Sequence, residues 1–173
     1  MKYWIGMLAV GLGLTFLASD VRAETKVELK GVHLCCGQCV QAVAKTLKPI
    51  EGVTPKCDQE AGTVTITAKD DETAQKALDA LAAAGFHGDS GNDKIKIKSA
   101  AGESKKVKSL TLTGIHNCCG ACCKAIKATV KKVNGVTGDT AKPKNNTFEV
   151  TGDFDAAELI KALEAEGFHV KVK

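Results

Sequence analysis

Gly31–Leu47, GVHLCCGQCVQAVAKTL, and Gly114–Val130, GIHNCCGACCKAIKATV, are close copies of one another. In each, a short apolar–polar alternation ends at Gly-x-His, three cysteines follow within five positions, and apolar residues then recur at three- and four-residue steps. Period two followed by a helical period marks a strand that breaks into a loop and restarts as a helix. Cys39, Val43 and Leu47 line one helix face, as do Cys122, Ile126, Val130 and Val133. The cysteines thus stand on a strand-to-helix junction, twice.

Working outward, an offset of 83 positions superposes Gly31 on Gly114, His33 on His116, Cys35, Cys36 and Cys39 on Cys118, Cys119 and Cys122, and Gly52 on Gly135. TVTITA from Thr63 then matches TFEVTG from Thr147, and GFH at Gly85 matches GFH at Gly167. KVELKGV and VKSLTLTGI read as first strands, Gly-Val opens a second and the Thr-rich segments give a third. DETAQKALDALAAAGF and DFDAAELIKALEAEGF are helices with acidic starts and glycine stops, and KIKIK (Lys94–Lys98) and HVKVK (His169–Lys173) are last strands. The expected fold is α+β: two tandem ferredoxin-like βαββαβ domains. The boundaries are a leader at 1–23, a first domain at 24–98, a flexible linker at 99–106, rich in small and polar residues, and a second domain at 107–173. In that fold the strand-to-helix loop, the hairpin near Cys57 and the turn before His87 share one end of the sheet.

Lys2, an apolar run from Tyr3 to Ala18 and the Val-x-Ala ending at Ala23 have the order of a secretory leader, with cleavage expected after Ala23 and a periplasmic or secreted destination. No second apolar run follows, so the mature chain is not expected to be embedded in a membrane. The formal net charge is only +4 and its charges are interspersed, which argues against nucleic acid, whose phosphates demand clustered Lys and Arg. Tyr3 and Trp4 belong to the leader, leaving Phe86, Phe148, Phe154 and Phe168 as the mature aromatic residues of a core otherwise built from aliphatic side chains.

All eight cysteines lie beyond the leader. In an exported chain an even count first suggests disulfides, but adjacent cysteines rarely bridge one another, and clusters this dense close no long loop. Cys36 with Cys39, and Cys119 with Cys122, form C-x-x-C pairs at a helix N-terminus, where free N–H groups and the helix dipole favour thiolate. Thiolate is the form that holds soft and borderline metals.

On these residues the sequence resembles the heavy-metal-associated domain family, the modules of copper chaperones, of the periplasmic mercury-binding protein and of metal-exporting ATPases. The resemblance covers both copies and rests on the element order, the C-x-x-C position and the Gly-Phe ending of the second helix. It implies that Cys36 with Cys39, and Cys119 with Cys122, bind metal, with one site per domain. Where the family's loop has Met, this chain has Leu34 and Asn117, and the residue before each pair is a further thiol, Cys35 or Cys118. Two thiolates suffice for Cu(I). A third sulfur and a nearby imidazole lean toward Zn(II), Cd(II) or Hg(II).

The expected ligands are therefore Cys35, Cys36, Cys39, Cys118, Cys119 and Cys122. His33, His116, His87 and His169 are candidate ligands or supporting hydrogen-bond partners. Cys57, whose counterpart is Thr140, and Cys123, which aligns with Val40, read as a lone strand thiol and a small core residue. The implied role is an exported metal chaperone, buffer or detoxification protein, not an enzyme, with metal ions and a membrane transporter or another metal-binding domain as partners. The rival is a thiol–disulfide oxidoreductase acting through the C-x-x-C pairs. Against it stand the shortness of each unit, the lack of a Trp before the motif, and a third thiol that would trap the pair in wrong bridges.

Overall fold

Val27 and Leu29 alternate with Lys26 and Glu28 and are both buried, so the first run pleats with one face inward. That is β1 (Thr25–Leu29) in a computed structural model of the chain, which describes residues 24–173. The expected leader lies outside the described residues. The elements continue as α1 (Gly37–Leu47), β2 (Val53–Asp58), β3 (Thr63–Ala68) and α2 (Asp71–Ala83). After the connecting segment come β4 (Lys106–Thr113), α3 (Gly120–Lys132), β5 (Val136–Asp139), β6 (Thr147–Asp155), α4 (Ala156–Ala165) and β7 (Lys171–Val172). No helix among the described residues is long and apolar enough to cross a membrane.

The strands form two antiparallel sheets, ordered β1-β3-β2 and β5-β6-β4-β7, each packed against its own pair of helices. The fold is α+β, and the second sheet has the full strand order of a ferredoxin-like unit. The first sheet has three strands, which corrects the expected fourth strand at Lys94–Lys98. The alternation there does bury Ile95 and Ile97. Its backbone, however, is satisfied by a side chain of α2 instead of a neighbouring strand: Lys96 N donates to Gln75 Oε1 at 3.0 Å and Gln75 Nε2 donates to the Lys96 carbonyl at 3.0 Å. At the sheet edge only an isolated bridge from Lys30 to Asp89 remains.

The segment 99–106, expected to be a flexible linker, is tied to the second half. Ser99 Oγ and Ala100 N donate to the Glu164 carboxylate, Ser104 Oγ donates to Asp155, and Ala156 N donates to the Lys105 carbonyl. Ala100 and Ala101 pack against the core, and β4 already begins at Lys106.

The two halves also share one hydrophobic core. Each second helix ends in the same way. Gly85 (φ +87°) and Gly167 (φ +84°) take the left-handed conformation, and the N–H groups of Phe86 and Phe168 reach back to the Leu81 and Leu163 carbonyls. The turns then cross over. Phe86 stacks on His116, and Phe168 packs on His33 with its ring tilted by 30°, both pairs with ring centroids 4.2 Å apart. Reciprocal bonds run from His87 N to the Gly167 carbonyl (3.0 Å) and from His169 N to the Gly85 carbonyl (2.9 Å). A Cβ on Gly85 would lie 2.1 Å from His116 N, and one on Gly167 would lie 2.2 Å from His33 N. Glycine is thus required at these positions both for the helix stop and for the approach of the other half's Gly-x-His strand.

Candidate metal centre

Cys36 and Cys119 are the N-caps of α1 and α3, with extended backbone, and neither thiol is used to cap its helix. One turn further on, Cys39 and Cys122 lie on the inward face and are 0% exposed. The third cysteine of each loop, Cys35 or Cys118, is half-buried beside them. Within one loop Cys35 Sγ lies 3.7 Å from Cys39 Sγ, and Cys118 Sγ lies 3.6 Å from Cys122 Sγ. The pairs of the C-x-x-C motifs are 4.0 Å and 3.7 Å apart.

Because the Gly-Phe-His turns dock each half on the other, the loops meet. Cys35 Sγ is 3.4 Å from Cys122 Sγ, Cys39 is 3.8 Å from both Cys118 and Cys122, and Cys36 is 3.9 Å from Cys119. The cysteines expected to serve a site in each domain thus lie in one group of six sulfurs, in which close neighbours come from both halves. Sulfurs sharing a tetrahedral ion at 2.3 Å stand about 3.8 Å apart, so these spacings suit shared ligation. Every one of the six is a free thiol.

The imidazoles complete the set. His116 groups with Cys39, Cys118 and Cys122, and His33 with Cys35 and Cys122, with the candidate ligand atoms in each group within 4.8 Å of one another. Nε2 of His33 and of His116 is buried without a hydrogen-bond partner. Buried polar nitrogens are rarely left so; a ligand in the thiol group would satisfy both. Burial lowers the pKa of His33, which keeps its imidazole neutral and able to ligate.

Six thiols this close cannot all ionise unaided. Donation from the Cys122 thiol holds Cys39 far below the usual thiol range against the effect of burial, while Cys122 is pushed up by the same pairing. Burial raises Cys35, and it raises Cys118 to about 12. Cys119 is lowered to about 6, chiefly by the backbone N–H of Cys122 in the first turn of α3. The thiols therefore share protons around a few thiolates, a state that a cation would replace by displacing the protons.

His87 and His169 stand apart from the sulfurs, in a group with Glu164. Glu164 escaped the sequence analysis. The available signal was a difference between the copies, since KALEAEGF carries Glu where KALDALAAAGF carries Ala82. Cys57 pairs with Val64 in the β2–β3 hairpin and Cys123 is buried on α3; neither belongs to the groups whose geometry could hold a metal ion.

The sequence profile of the heavy-metal-associated domain matches residues 113–169, so the second half carries one such domain. Among solved structures, that of the N-terminal soluble domains of Bacillus subtilis CopA is similar over 88% of this chain and 95% of that one, with 18% identity and a TM-score of 0.33. No curated protein matches the chain. The matched domain, with its cysteines gathered as described, marks a metal-binding protein.

Proposed function

We propose that this chain is an exported soft-metal-binding protein, a chaperone, buffer or detoxification protein, built from two heavy-metal-associated units whose CCxxC loops close on one shared thiolate centre. The observation that carries this reading is the meeting of six sulfurs from both halves beside two buried imidazole nitrogens that lack partners. Six sulfurs and two nitrogens are enough donors for about two four-coordinate ions, and for more if sulfurs bridge. The donor chemistry suits Cu(I), Zn(II), Cd(II) or Hg(II). Cys36 and Cys119 are half-buried and flanked by the exposed Gly37-Gln38 and Gly120-Ala121, so they form the rim at which a transporter or another metal-binding domain would exchange ligands.

Cadmium titration of the reduced mature chain tests the shared centre, because the described residues hold no Trp or Tyr to mask thiolate-to-metal absorption. Cys39→Ser or Cys122→Ser alone should weaken binding of the whole cadmium complement. Retention of half the capacity at unchanged affinity would mean two independent sites. Efficient insulin reduction by the metal-free protein would favour the redox reading instead.

A further inference from the structure

The same docking that gathers the sulfurs gathers a second and chemically different set. His87 leaves α2 behind the Gly85 turn, His169 leaves α4 behind the Gly167 turn, and their rings lie parallel, 2° apart in tilt with centroids 5.6 Å apart. The two Nδ1 atoms lie 3.3 Å apart, within hydrogen-bond distance, so that in the metal-free protein one neutral ring can donate to the other. Two nitrogens bound at 2.0–2.1 Å to one tetrahedral ion stand about 3.3–3.4 Å apart, so the ring nitrogens already have the spacing of a chelating pair. The Glu164 carboxylate completes a group whose candidate ligand atoms lie within 4.8 Å of one another.

Glu164 is 8% exposed and is held in place on both oxygens, by Ser99 Oγ at 2.5 Å and Ala100 N at 2.6 Å. Each oxygen keeps a further lone pair, and a carboxylate oriented by such donors is the usual arrangement around a ligating acid. Burial lowers the pKa of both His87 and His169, which favours the neutral, ligating imidazole. A hollow of about 360 Å³, lined by His87, Glu164, Lys30 and Asp89 among others, opens beside the group and gives an ion access and space for a water ligand.

We propose that His87, His169 and Glu164 form a second metal site, of nitrogen and oxygen donors, that takes a borderline divalent cation of the zinc class and is distinct from the thiolate centre. Two imidazoles and one carboxylate with an open fourth position suit such an ion, whereas a soft ion prefers the sulfurs. His87 comes from the first half and His169 and Glu164 from the second, so the ion binds only while the halves are docked and stabilises that docking by mass action.

The test uses the full mature chain. The thiolate centre is first saturated with Cu(I), zinc is then titrated, and the histidine ring nitrogens are followed by long-range 1H–15N NMR. The expected result is one further zinc per chain, with the Nδ1 signals of His87 and His169 shifting together. Glu164→Gln and His169→Asn should each weaken that zinc at least tenfold while leaving the copper count intact, with retained amide chemical-shift dispersion in the same NMR samples reporting that the variants are folded. Zinc uptake with unmoved His87 and His169 signals, or no uptake beyond the thiolate centre, would overturn the proposal. The NMR readout applies even if Cu(I) fails to saturate the sulfurs, so failure of the thiolate reading and failure of this site are separable.

Discussion

The first half closes its sheet with three strands and the second with four, although both carry the same cysteine loop, the same Gly-Val start of a second strand and the same Gly-Phe-His turn. What the halves share is what meets at the centre: Cys35 with Cys122, Phe86 on His116, Phe168 on His33. Where they differ, each half finishes in its own way, with Gln75 holding Lys96 in the first and β7 pairing with β4 in the second. The pairing of matched residues across the docked halves makes their docking the first thing to break.

Gly85→Ala and Gly167→Ala place a Cβ against the backbone of the other half and also force alanine into a left-handed turn. Each should cost about 4 kcal/mol in urea denaturation, the scale of combined backbone strain and a clash that cannot relax. Both should lower cadmium affinity as well, because the sulfurs of the two loops separate. Undiminished affinity in both variants would show that docking is not what assembles the centre.

Gly52 and Gly135 occupy the same place in the two halves and sharpen the comparison without touching the docking turns. A Cβ on Gly135 would lie 1.9 Å from the Asp153 carbonyl oxygen, whereas one on Gly52 would meet only the flexible Lys69 side chain at 2.9 Å. Gly135→Ala should therefore cost about 3 kcal/mol, and Gly52→Ala about 1–2 kcal/mol from the left-handed backbone alone. Equal losses in parallel melts would mean that the tighter β5–β6 crossing does not constrain the second half.

Neighbouring thiols of one loop should differ in reactivity. At pH 7 the metal-free protein holds Cys119, lowered to about 6, mostly as thiolate, and Cys118, raised to about 12, as thiol. Iodoacetamide followed by peptide mass mapping should modify Cys119 at least tenfold faster. The preference for Cys119 should fade as pH falls through 6 and its thiolate takes up a proton. Cd(II) loading should suppress the reaction at both positions.

Much of this was legible because it is periodic or repeated. The alternation at Lys26–Leu29, the three- and four-residue steps after Cys39 and Cys122 and the glycine stops at Gly85 and Gly167 all gave elements where expected. The clustering of six cysteines at two strand-to-helix junctions is plain in the sequence, and the resemblance to heavy-metal-associated domains implies that Cys36, Cys39, Cys119 and Cys122 among them bind metal. That they meet in one group was not legible, because docking depends on ring stacking and on the absence of a Cβ at two glycines, neither of which has a period. Glu164 was hidden for a related reason: a carboxylate in the last turn of a helix looks like solvent-facing charge until Ser99 and Ala100 are seen to fold over it.

The smallest effect concerns the two chain segments that finish the halves. KIKIK and HVKVK alternate alike, yet only the second contributes a strand, at Lys171–Val172. Gln75 gives the first segment its alternative, offering one donor and one acceptor to the backbone of Lys96 much as a strand edge would. Gln75→Ala removes both bonds at an exposed position, where water can replace them, so the loss should be only about 1 kcal/mol. The local consequence is larger than the global one: the amide of Lys96 should lose most of its protection from hydrogen exchange, while amides within β7 stay unchanged. If Lys96 keeps its protection, burial of Ile95 and Ile97 holds the segment without Gln75, and the two halves differ in sheet edge alone.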